Sequence, residues 1–559
     1  MGTLLIQLPK PRFQQYILVI LVFLAFSRSM TNGYSLDDST VTTYDQELVS
    51  KGFDGIPEIL KSPYSKAGYD GADSFDYRPV PLITFAVEKA IFGFTPGVSH
   101  FINLLLYIFL ILLVFQILRN ILKDYPEWIP FVVTAIFAIH PLHSEVVVSL
   151  KNRDELLVAI FGFGALLATM KFFTLRKWYY IVLIFLCVML GGNSKLTYGP
   201  FLYFIPITLY FFRWINIRQA AVVLVGLFAV GYLAFYGPRL FIEEGLSRQI
   251  DYFENPLLFM PFAARIPMAF YSFLIYCKLH FFPFPLLSYY GFNHVEVLGW
   301  TDFQVYLGFL IVVILIFLLI KSWHKNPLLA FGIMTFVIFM SPYQNFPVVS
   351  TGIIAERFAF NSVLGIGLIF IAIVLNNPLT GERWKDSLKY RRYLKITLLA
   401  ILIVFTFINI SRTGDWKDEI TLVRADVKKA PNSVKLQMLN GEYAQKNIAL
   451  AQNQQQKNAL ISEATSAYQM VISIYPKHAA TYNNLGVINS LTGNYAKAIP
   501  MITKAIELGD DKAENYFNLG ACYEISGNIN KAKENYRVAL RKDNSYKPAL
   551  ERLKILESK

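Results

Sequence analysis

Charged side chains are scarce in this sequence. Asp, Glu, Lys and Arg together make up 16% of its 559 residues, whereas hydrophobic residues make up 55%. Soluble domains carry about 25% charged residues. The shortage excludes a wholly soluble protein, and long apolar runs occupy the chain from residue 13 to about residue 411. We therefore expect an integral membrane protein whose apolar runs are helices, because unpaired backbone amides are not tolerated in lipid.

Cysteine is also scarce. The three cysteines, Cys187, Cys277 and Cys522, are odd in number, and two of them lie inside apolar runs. This argues against a disulfide framework and against a cysteine-based metal cluster. The motif His140-Pro141-Leu142-His143-Ser144-Glu145 offers three possible metal ligands, which could share an ion. No fourth ligand follows, so we expect a hydrogen-bonded cluster there and no metal.

Acidic residues are fewer than basic ones, and the formal net charge is +13. A nucleic-acid surface is one interpretation. The basic residues instead cluster in short gaps between apolar runs, as at Lys171, Arg176 and Lys177 and from Arg383 to Lys395. This is the positive-inside pattern of membrane proteins, so we expect no nucleic-acid partner. Segment 31–77, by contrast, holds nine acidic and three basic residues and is expected to lie outside.

The number and position of the apolar runs predict the membrane topology and the extent of the membrane domain. The first run, Tyr16 to Phe26, is similar to a signal peptide, but no small-residue cleavage site precedes Asp37, so we expect a retained anchor. Twelve spans would place the basic loop that ends at Lys395 outside, against the positive-inside pattern. Treating 263–282 as re-entrant or interfacial leaves eleven spans and restores the pattern. We predict a polytopic membrane domain at 1–411, with 31–77 as its first extracytoplasmic loop.

Residues 412–559 are polar and contain an internal repeat. Tyr482-Asn483-Asn484-Leu485-Gly486 recurs as Tyr516-Phe517-Asn518-Leu519-Gly520, and Gly493 recurs as Gly527, each at an interval of 34 residues. This period is typical of tetratricopeptide repeats, in which small residues let paired helices cross closely. We therefore predict an all-α protein, a polytopic membrane domain followed by a tetratricopeptide α-solenoid at 412–559. Such a solenoid binds extended peptide or protein and does no chemistry of its own.

Several ionisable residues fall at segment ends that the predicted topology assigns to one face. The adjacent carboxylates Asp37 and Asp38 follow the first apolar segment, and ionisable groups at such a depth are functional candidates because they are costly. The others are Arg78, His143, Glu145, Lys195, Glu356 and Arg357. An arginine suits a lipid phosphate, because guanidinium stays charged and can grip it with two hydrogen bonds. The structural alternatives are solvated aspartates, a snorkelling lysine and an arginine that anchors the interface.

In their order along the chain, these motifs resemble the transmembrane and tetratricopeptide repeat-containing O-mannosyltransferase family, and more broadly the GT-C glycosyltransferases such as protein O-mannosyltransferases. The resemblance covers nearly the whole chain and implies a GT-C-type membrane domain. The matching stretches are Asp37-Asp38, Tyr77-Arg78-Pro79, the His140 to Glu145 motif with Arg153, Asn255-Pro256, Pro283 to Ser288, Ala355-Glu356-Arg357 with Asn361-Ser362, and the C-terminal repeats.

The resemblance implies a polyprenyl-phosphate-linked sugar, with mannose as the family's example, and a Ser/Thr hydroxyl of a protein as acceptor. Expulsion of a phosphate needs no general acid but gains from cations, and a hydroxyl nucleophile needs a base. One displacement predicts inversion. By position in the family motif, Asp37 is expected to be the base, and Asp38 and Glu145 would position it or hold the acceptor. The residues expected to bind the donor phosphate or the substrate are Arg78, His143, Lys195, Glu356 and Arg357. Beyond the lipid-linked sugar donor, no cofactor is expected.

The sequence departs from the family at Leu196, where an acidic residue usually follows the lysine, and its repeat array is short. A glycan or lipid acceptor on the same fold stays open, as does a catalytically silent membrane scaffold whose repeats recruit partners. A transporter is disfavoured, because we find neither paired helix breaks nor internal symmetry. We expect a multi-pass protein of the bacterial inner membrane with extracytoplasmic repeats, with the endoplasmic reticulum as the alternative.

Overall fold

A computed structural model describes residues 10–42, 46–64, 77–242, 251–346, 349, 352–376 and 388–558. Over these residues the secondary structure is helical, apart from isolated bridge residues such as Phe292 and Val295. The predicted all-α class is therefore confirmed. Parts of the predicted outer loop 31–77, and residues 383–387 of the basic segment from Arg383 to Lys395, lie outside the residues described.

By contacts the chain forms two compact units. The first comprises residues 1–288 and 297–422, and the second comprises residues 289–296 and 423–559. The predicted boundary at residue 411 stays a prediction. The helices of the first unit are α1 (Pro11–Phe26), α2 (Ser39–Thr42), α3 (Glu47–Ser50), α4 (Ile56–Ile59), α5 (Pro79–Phe92), α6 (Pro96–Ile121), α7 (Trp128–Ile139), α8 (Ser144–Val148), α9 (Arg153–Leu175), α10 (Tyr179–Gly192), α11 (Gly199–Phe211), α12 (Ile217–Tyr236), α13 (Phe262–Phe281), α14 (Phe303–Lys325), α15 (Pro327–Met340), α16 (Val363–Leu375) and α17 (Leu388–Asp415).

Six helical segments among the described residues are long and apolar enough to cross a membrane, which indicates a multi-pass membrane protein. They are Pro11–Thr31, Pro96–Ile121, Arg153–Leu175, Ile217–Leu240, Phe303–Lys325 and Arg392–Asp415. The pair α7 and α8 also qualifies but is bent by 53° at Pro141, where proline supplies no backbone N–H to continue the helix. Helices α10, α11, α15 and α16 are apolar but shorter. The count of eleven spans stays a prediction.

The segment that the sequence sets aside, 263–282, forms the continuous helix α13. It is 20 residues long, yet it is not among the helices that qualify as membrane spans. Arg265, Lys278 and His280 interrupt its apolar sequence, and charged groups within a span are costly. Its predicted re-entrant or interfacial placement stays a prediction.

The described part of the predicted outer loop folds back onto α5. Val41, Leu48 and Ile59 of the loop are buried against Leu82 and Phe85 of that helix. Burial of such side chains contributes roughly 1.5–3 kcal/mol each. The short helices α2 to α4 thereby acquire a small core, which fixes the start of the loop where the two adjacent carboxylates lie.

The second unit is built from paired helices. Helix α18 (Glu419–Lys429) begins in the first unit and leads into α19 (Val434–Asn447), α20 (Gln454–Ile474), α21 (Ala479–Leu491), α22 (Tyr495–Glu507), α23 (Ala513–Ile525), α24 (Ile529–Lys542) and α25 (Lys547–Glu557). Gly493 and Gly527 lie in the turns directly after α21 and α23, with φ of +75° and +82°, a conformation that favours glycine. At Gly520 an added Cβ would lie 2.8 Å from the ring of Tyr536, so the predicted small residue at a helix crossing is required there.

Candidate active site

The two adjacent aspartates have different surroundings. The side chain of Asp37 is 64% exposed, and its Oδ2 lies 2.7 Å from the ammonium of Lys151. Asp38 is fully buried. Its Oδ2 accepts from the backbone N–H of Ser35 at 3.1 Å, and its Oδ1 accepts from the backbone N–H of Lys151 at 3.0 Å and the hydroxyl of Ser149 at 3.3 Å. Asp38 thus connects the predicted outer loop to the turn before α9, and Asp37 stays accessible from solvent.

Burial has a consequence for the charge of Asp38. Removal of the carboxylate from water raises the pKa of Asp38 to about 7, although the hydrogen bonds from Lys151, Ser35 and Ser149 oppose the rise. The negative charge of Asp37 adds to it. The two neighbours are therefore suited to different tasks, because one carboxylate is open to an incoming group and the other holds the loop.

A second group of charges lies at the start of α9. Asp154 accepts from Arg78 Nη1 at 2.9 Å and lies 3.0 Å from Lys195 Nζ. The same ammonium lies 3.0 Å from Glu155 Oε1. Asp154 and Glu155 are almost completely buried, and Arg78 and Lys195 are mostly buried. Arg78 and Lys195, two of the cations predicted to bind substrate, are therefore held by carboxylates at the start of α9.

Glu145 and Arg357, two of the predicted site residues, form an ion pair with each other. Glu145 Oε1 accepts from Arg357 Nη1 at 2.6 Å, and its Oε2 accepts from the backbone N–H of Arg357 at 2.8 Å. Glu145 is buried, whereas a quarter of the Arg357 side chain is exposed. Glu145 Oε1 also accepts from the side-chain amide of Asn152 at 3.5 Å. Asn152 follows Lys151, which pairs with Asp37, so one turn of the chain connects Asp37 to Glu145 and Arg357.

We call the residues of these ion pairs, together with Asp38, the charged cluster. It comprises Asp37, Asp38, Arg78, Glu145, Lys151, Asp154, Glu155, Lys195 and Arg357. A cavity of about 170 Å³ lies nearby, lined in part by Tyr77, Leu196 and Arg239. Tyr77 and Leu196 are the chain neighbours of Arg78 and Lys195, so the cavity lies one residue along the chain from two cations of the cluster, neither of which lines it.

Two predicted site residues lie outside these ion pairs. His143 is fully buried, with Nδ1 2.7 Å from the hydroxyl of Tyr107 and Nε2 3.1 Å from the carbonyl of Phe360. Glu356 is also buried, and its Oε1 accepts from the backbone N–H of Leu287 at 2.6 Å. Both positions support the segments that carry Glu145 and Arg357. Their predicted contacts with substrate stay predictions.

The ring nitrogens of the histidine motif have protein partners. His140 Nε2 lies 2.9 Å from the carbonyl of His280, and His143 is held as described above. Across the described residues, no group of three or more His, Cys, Asp or Glu side chains could hold a metal ion. The motif forms hydrogen bonds in the interior, and the expectation that the reaction needs no metal stays a prediction.

Sequence reasoning did not assign site roles to Lys151, Asp154 or Glu155. The two carboxylates occupy the first turn of an apolar helix, where acidic residues favourably meet the helix dipole, so their sequence position has a sufficient local explanation. The sequence feature that could have identified them is their position at the end of a membrane span, where two acids are costly unless they are paired. Their position would have predicted cationic partners, for which Arg78 and Lys195 were available.

Arg153, which the family resemblance includes, lies behind the cluster. Its side chain is fully buried, pairs with Glu88 at 2.9 Å and donates to Asn103 Oδ1 at 2.6 Å and to the carbonyl of Ser99 at 3.2 Å. Its guanidinium lies 3.7 Å from the centre of the Phe85 ring. Such a buried charge is stable only when it is paired and fully hydrogen-bonded. Arg153 therefore fixes α5, α6 and α9 relative to one another.

Several animal proteins are similar in sequence to this chain. The chain is 23% identical over 428 residues to a protein O-mannosyl-transferase of Caenorhabditis elegans, covering 75% of this chain and 58% of that protein. It is 22% identical over 178 residues to protein O-mannosyl-transferase Tmtc1 of Drosophila melanogaster, covering 32% of this chain and 20% of that protein. The curated relatives of this chain are protein O-mannosyl-transferases. The predicted resemblance is thereby confirmed.

The repeats are matched separately. The tetratricopeptide repeat family matches residues 477–545. This confirms the predicted repeats, and their bounds at 412–559 stay a prediction. A solved thermophilic tetratricopeptide repeat protein of Thermus thermophilus is 16% identical and covers 31% of this chain and 91% of its own, with a TM-score of 0.24. The chain spans little more than half the length of the Caenorhabditis elegans relative and a smaller share of the Drosophila one.

Proposed function

We propose that this chain is an inverting GT-C glycosyltransferase of a multi-pass membrane domain. It moves a sugar, with mannose as the first candidate, from a polyprenyl-phosphate donor to a Ser/Thr hydroxyl of a protein acceptor on the extracytoplasmic side. Similarity to protein O-mannosyl-transferases over three quarters of the chain supports this activity. The observation that carries the proposal is that one turn connects Asp37 to Arg357, which lie 320 positions apart: Lys151 pairs with Asp37, and its neighbour Asn152 donates to Glu145, which holds Arg357.

The proposed reaction needs a base for the acceptor hydroxyl and cations for the leaving phosphate. The acceptor hydroxyl oxygen forms a bond to the anomeric carbon while the bond from that carbon to the phosphate oxygen breaks. Asp37 takes the hydroxyl proton, because its carboxylate is the exposed one of the pair. The leaving polyprenyl phosphate keeps the electron pair, and its developing charge is stabilised by fixed cations. A single displacement from the opposite face inverts the anomeric centre.

The cations are supplied by Arg357, Arg78 and Lys195. Arg357 keeps a quarter of its side chain exposed while Glu145 holds it through two contacts, so the guanidinium is fixed in place and can still meet a phosphate. Arg78 and Lys195 share Asp154 beside the 170 Å³ cavity. The departure at Leu196 therefore leaves Lys195 with carboxylate partners, which α9 supplies instead.

The repeats are proposed to hold the acceptor protein. Tetratricopeptide arrays stack helix pairs into extended concave surfaces that bind other chains. Residues 477–545 carry that pattern. This role requires the array to lie on the same side of the membrane as the charged cluster, which is the topology that eleven spans predict.

The test is a transfer assay with the full chain in detergent or nanodiscs. Synthetic polyprenyl-phosphate mannose is offered with and without Ser/Thr-rich peptides, and the products are analysed by mass spectrometry and by the anomeric configuration. We expect peptide-dependent transfer with inversion, and a large loss of rate in Arg357→Met with donor present. Lys321→Met, which changes an exposed basic residue of α14, is the matched control. Transfer to a glycan or lipid alone, or no release of sugar at all, would refute the proposed acceptor or the proposed activity respectively.

A further inference from the structure

A groove of about 520 Å³ lies on the first unit away from the charged cluster. It is lined by the C-terminal part of α9, the N-terminal part of α10, and α12. Its surface is almost entirely apolar, and its lining includes Phe172, Phe173, Ile184, Phe185, Val222 and Gly226. None of the proposed catalytic groups lines it.

The groove opens to the outer surface of helices that qualify as membrane spans. Val222, on its wall, is 72% exposed, and only 22% of the apolar window of Ile217–Leu240 is buried. An added Cβ at Gly226 would meet no atom within 4 Å. In a bilayer the molecules next to such a surface are lipids, so the groove has room for a lipid chain at its base.

The length of the groove corresponds to one leaflet. On α12 its lining runs from Arg218 to Val230, and twelve helical steps of 1.5 Å span about 18 Å. Half of the hydrocarbon core of a bilayer is about 15 Å thick. One acyl chain of one leaflet therefore fits the groove end to end.

One end of the groove is positively charged. Arg218 belongs to the lining, and the guanidinium of Arg176 lies 5.2 Å from the centre of the ring of Phe173, which also lines it. Exposed Lys171 and Lys177 flank the same turn between α9 and α10. The sequence contains no Asp or Glu from residue 156 to residue 242. No carboxylate of these three helices beyond the start of α9 therefore neutralises this end.

The position of the groove argues against the sugar donor as its occupant. The charged cluster lies at the start of α9, and the groove begins at Thr169 near the other end of that helix. Fourteen residues separate Glu155 from Thr169, which is about 21 Å along the axis. A phosphate held by Arg218 would thus lie far from Arg357 and Lys195, in the other leaflet.

We propose that this groove binds an anionic glycerophospholipid, with one acyl chain between α9 and α12 and the phosphate at Arg218. The apolar lining of the groove accounts for binding of an acyl chain, and the length of the groove accounts for a chain of one leaflet. The basic residues at its end account for the negative headgroup. The proposal is independent of the transferase activity. It assigns the basic residues of this turn a lipid-binding task in addition to orienting the chain in the membrane.

Native mass spectrometry of the full chain tests the proposal. Delipidated protein in detergent is mixed with palmitoyl-oleoyl phosphatidylglycerol or, in parallel, with the corresponding phosphatidylcholine. We expect a single retained phosphatidylglycerol adduct and a preference over phosphatidylcholine. Gly226→Leu and Val222→Trp fill the groove and should abolish retention of both lipids. Arg218→Gln should lower the preference for phosphatidylglycerol about fivefold, as one basic residue near a phosphate contributes about 1 kcal/mol.

The control is Ala229→Leu, which adds the same side chain at an exposed position of α12 outside the groove. It should retain the lipid as the unchanged protein does, and all variants are compared by their elution from a sizing column to show that they are folded. Equal retention of phosphatidylglycerol by Gly226→Leu and Ala229→Leu would overturn the proposal. So would equal binding of both lipids, or displacement of phosphatidylglycerol by polyprenyl phosphate.

Discussion

Asp37→Asn separates a catalytic role from a structural one, because the two adjacent aspartates differ so strongly in burial. Asp37 makes an ion pair with Lys151 at 2.7 Å with 64% of its side chain exposed. Exposed ion pairs contribute at most about 1 kcal/mol to stability. A general base contributes roughly 10²–10⁴-fold to a rate. Asp37→Asn should therefore lower kcat by about that factor, while the free energy of unfolding changes by less than about 1 kcal/mol.

Two further variants serve as comparisons. Asp38→Asn replaces one of two oxygens that both accept hydrogen bonds in a buried position, which should destabilise the fold by about 1–3 kcal/mol. Glu58→Gln removes a carboxylate in the same loop that pairs with Lys51 at 3.2 Å and should leave the transfer rate unchanged. The assays are sugar transfer to peptide and unfolding in denaturant. An Asp37→Asn enzyme that keeps its rate, or that loses as much stability as Asp38→Asn, would refute the assignment of Asp37 as the base.

Three other predictions follow from the structure. Asp154→Asn removes the carboxylate that Arg78 and Lys195 share and should lower the free energy of unfolding by about 3 kcal/mol; an unchanged denaturation midpoint would contradict this. Since burial raises the pKa of Asp38 to about 7, its contribution to stability is complete below the ordinary pKa of an aspartate and is lost as the pH rises through about 7. Unfolding titrations from about pH 5 to about pH 8 should show this decline, and it should be absent in Asp38→Asn. Gly520→Ala would place a methyl group 2.8 Å from the ring of Tyr536 and should destabilise the repeats by about 1–3 kcal/mol, and a thermal melt by circular dichroism that matches the unchanged protein would exclude this effect.

The repeats were the most predictable part of the protein. Their 34-residue period is carried by residues that act locally, such as Gly493 at a turn and Gly520 at a helix crossing. The membrane helices, including the short α10, were predictable as apolar runs, but the bend at Pro141 depends on how the helices pack. Hydropathy alone carries no information on that packing.

The site was predictable only in part. Asp37, Glu145 and Arg357 were predicted by position; Glu145 and Arg357 pair directly, Asp37 is connected to them through Lys151 and Asn152, and the roles of all three stay predictions. Asp154 was missed, because its partnership with Lys195 spans 41 positions and arises from the packing of α9 beside the segment after α10. His143 was identified for its chemistry, yet it lies among aromatic rings such as Phe137, at a centroid distance of 4.6 Å.

Each cation of the charged cluster already has a carboxylate partner before any donor arrives. Lys151 has Asp37, Arg357 has Glu145, and Arg78 and Lys195 divide Asp154 between them. In the proposed reaction a donor phosphate would therefore meet cations whose charge is already partly neutralised, and only their exposed parts, such as a quarter of the Arg357 side chain, would contact it. Each new contact would then add little, which favours modest affinity and ready release of the proposed lipid carrier.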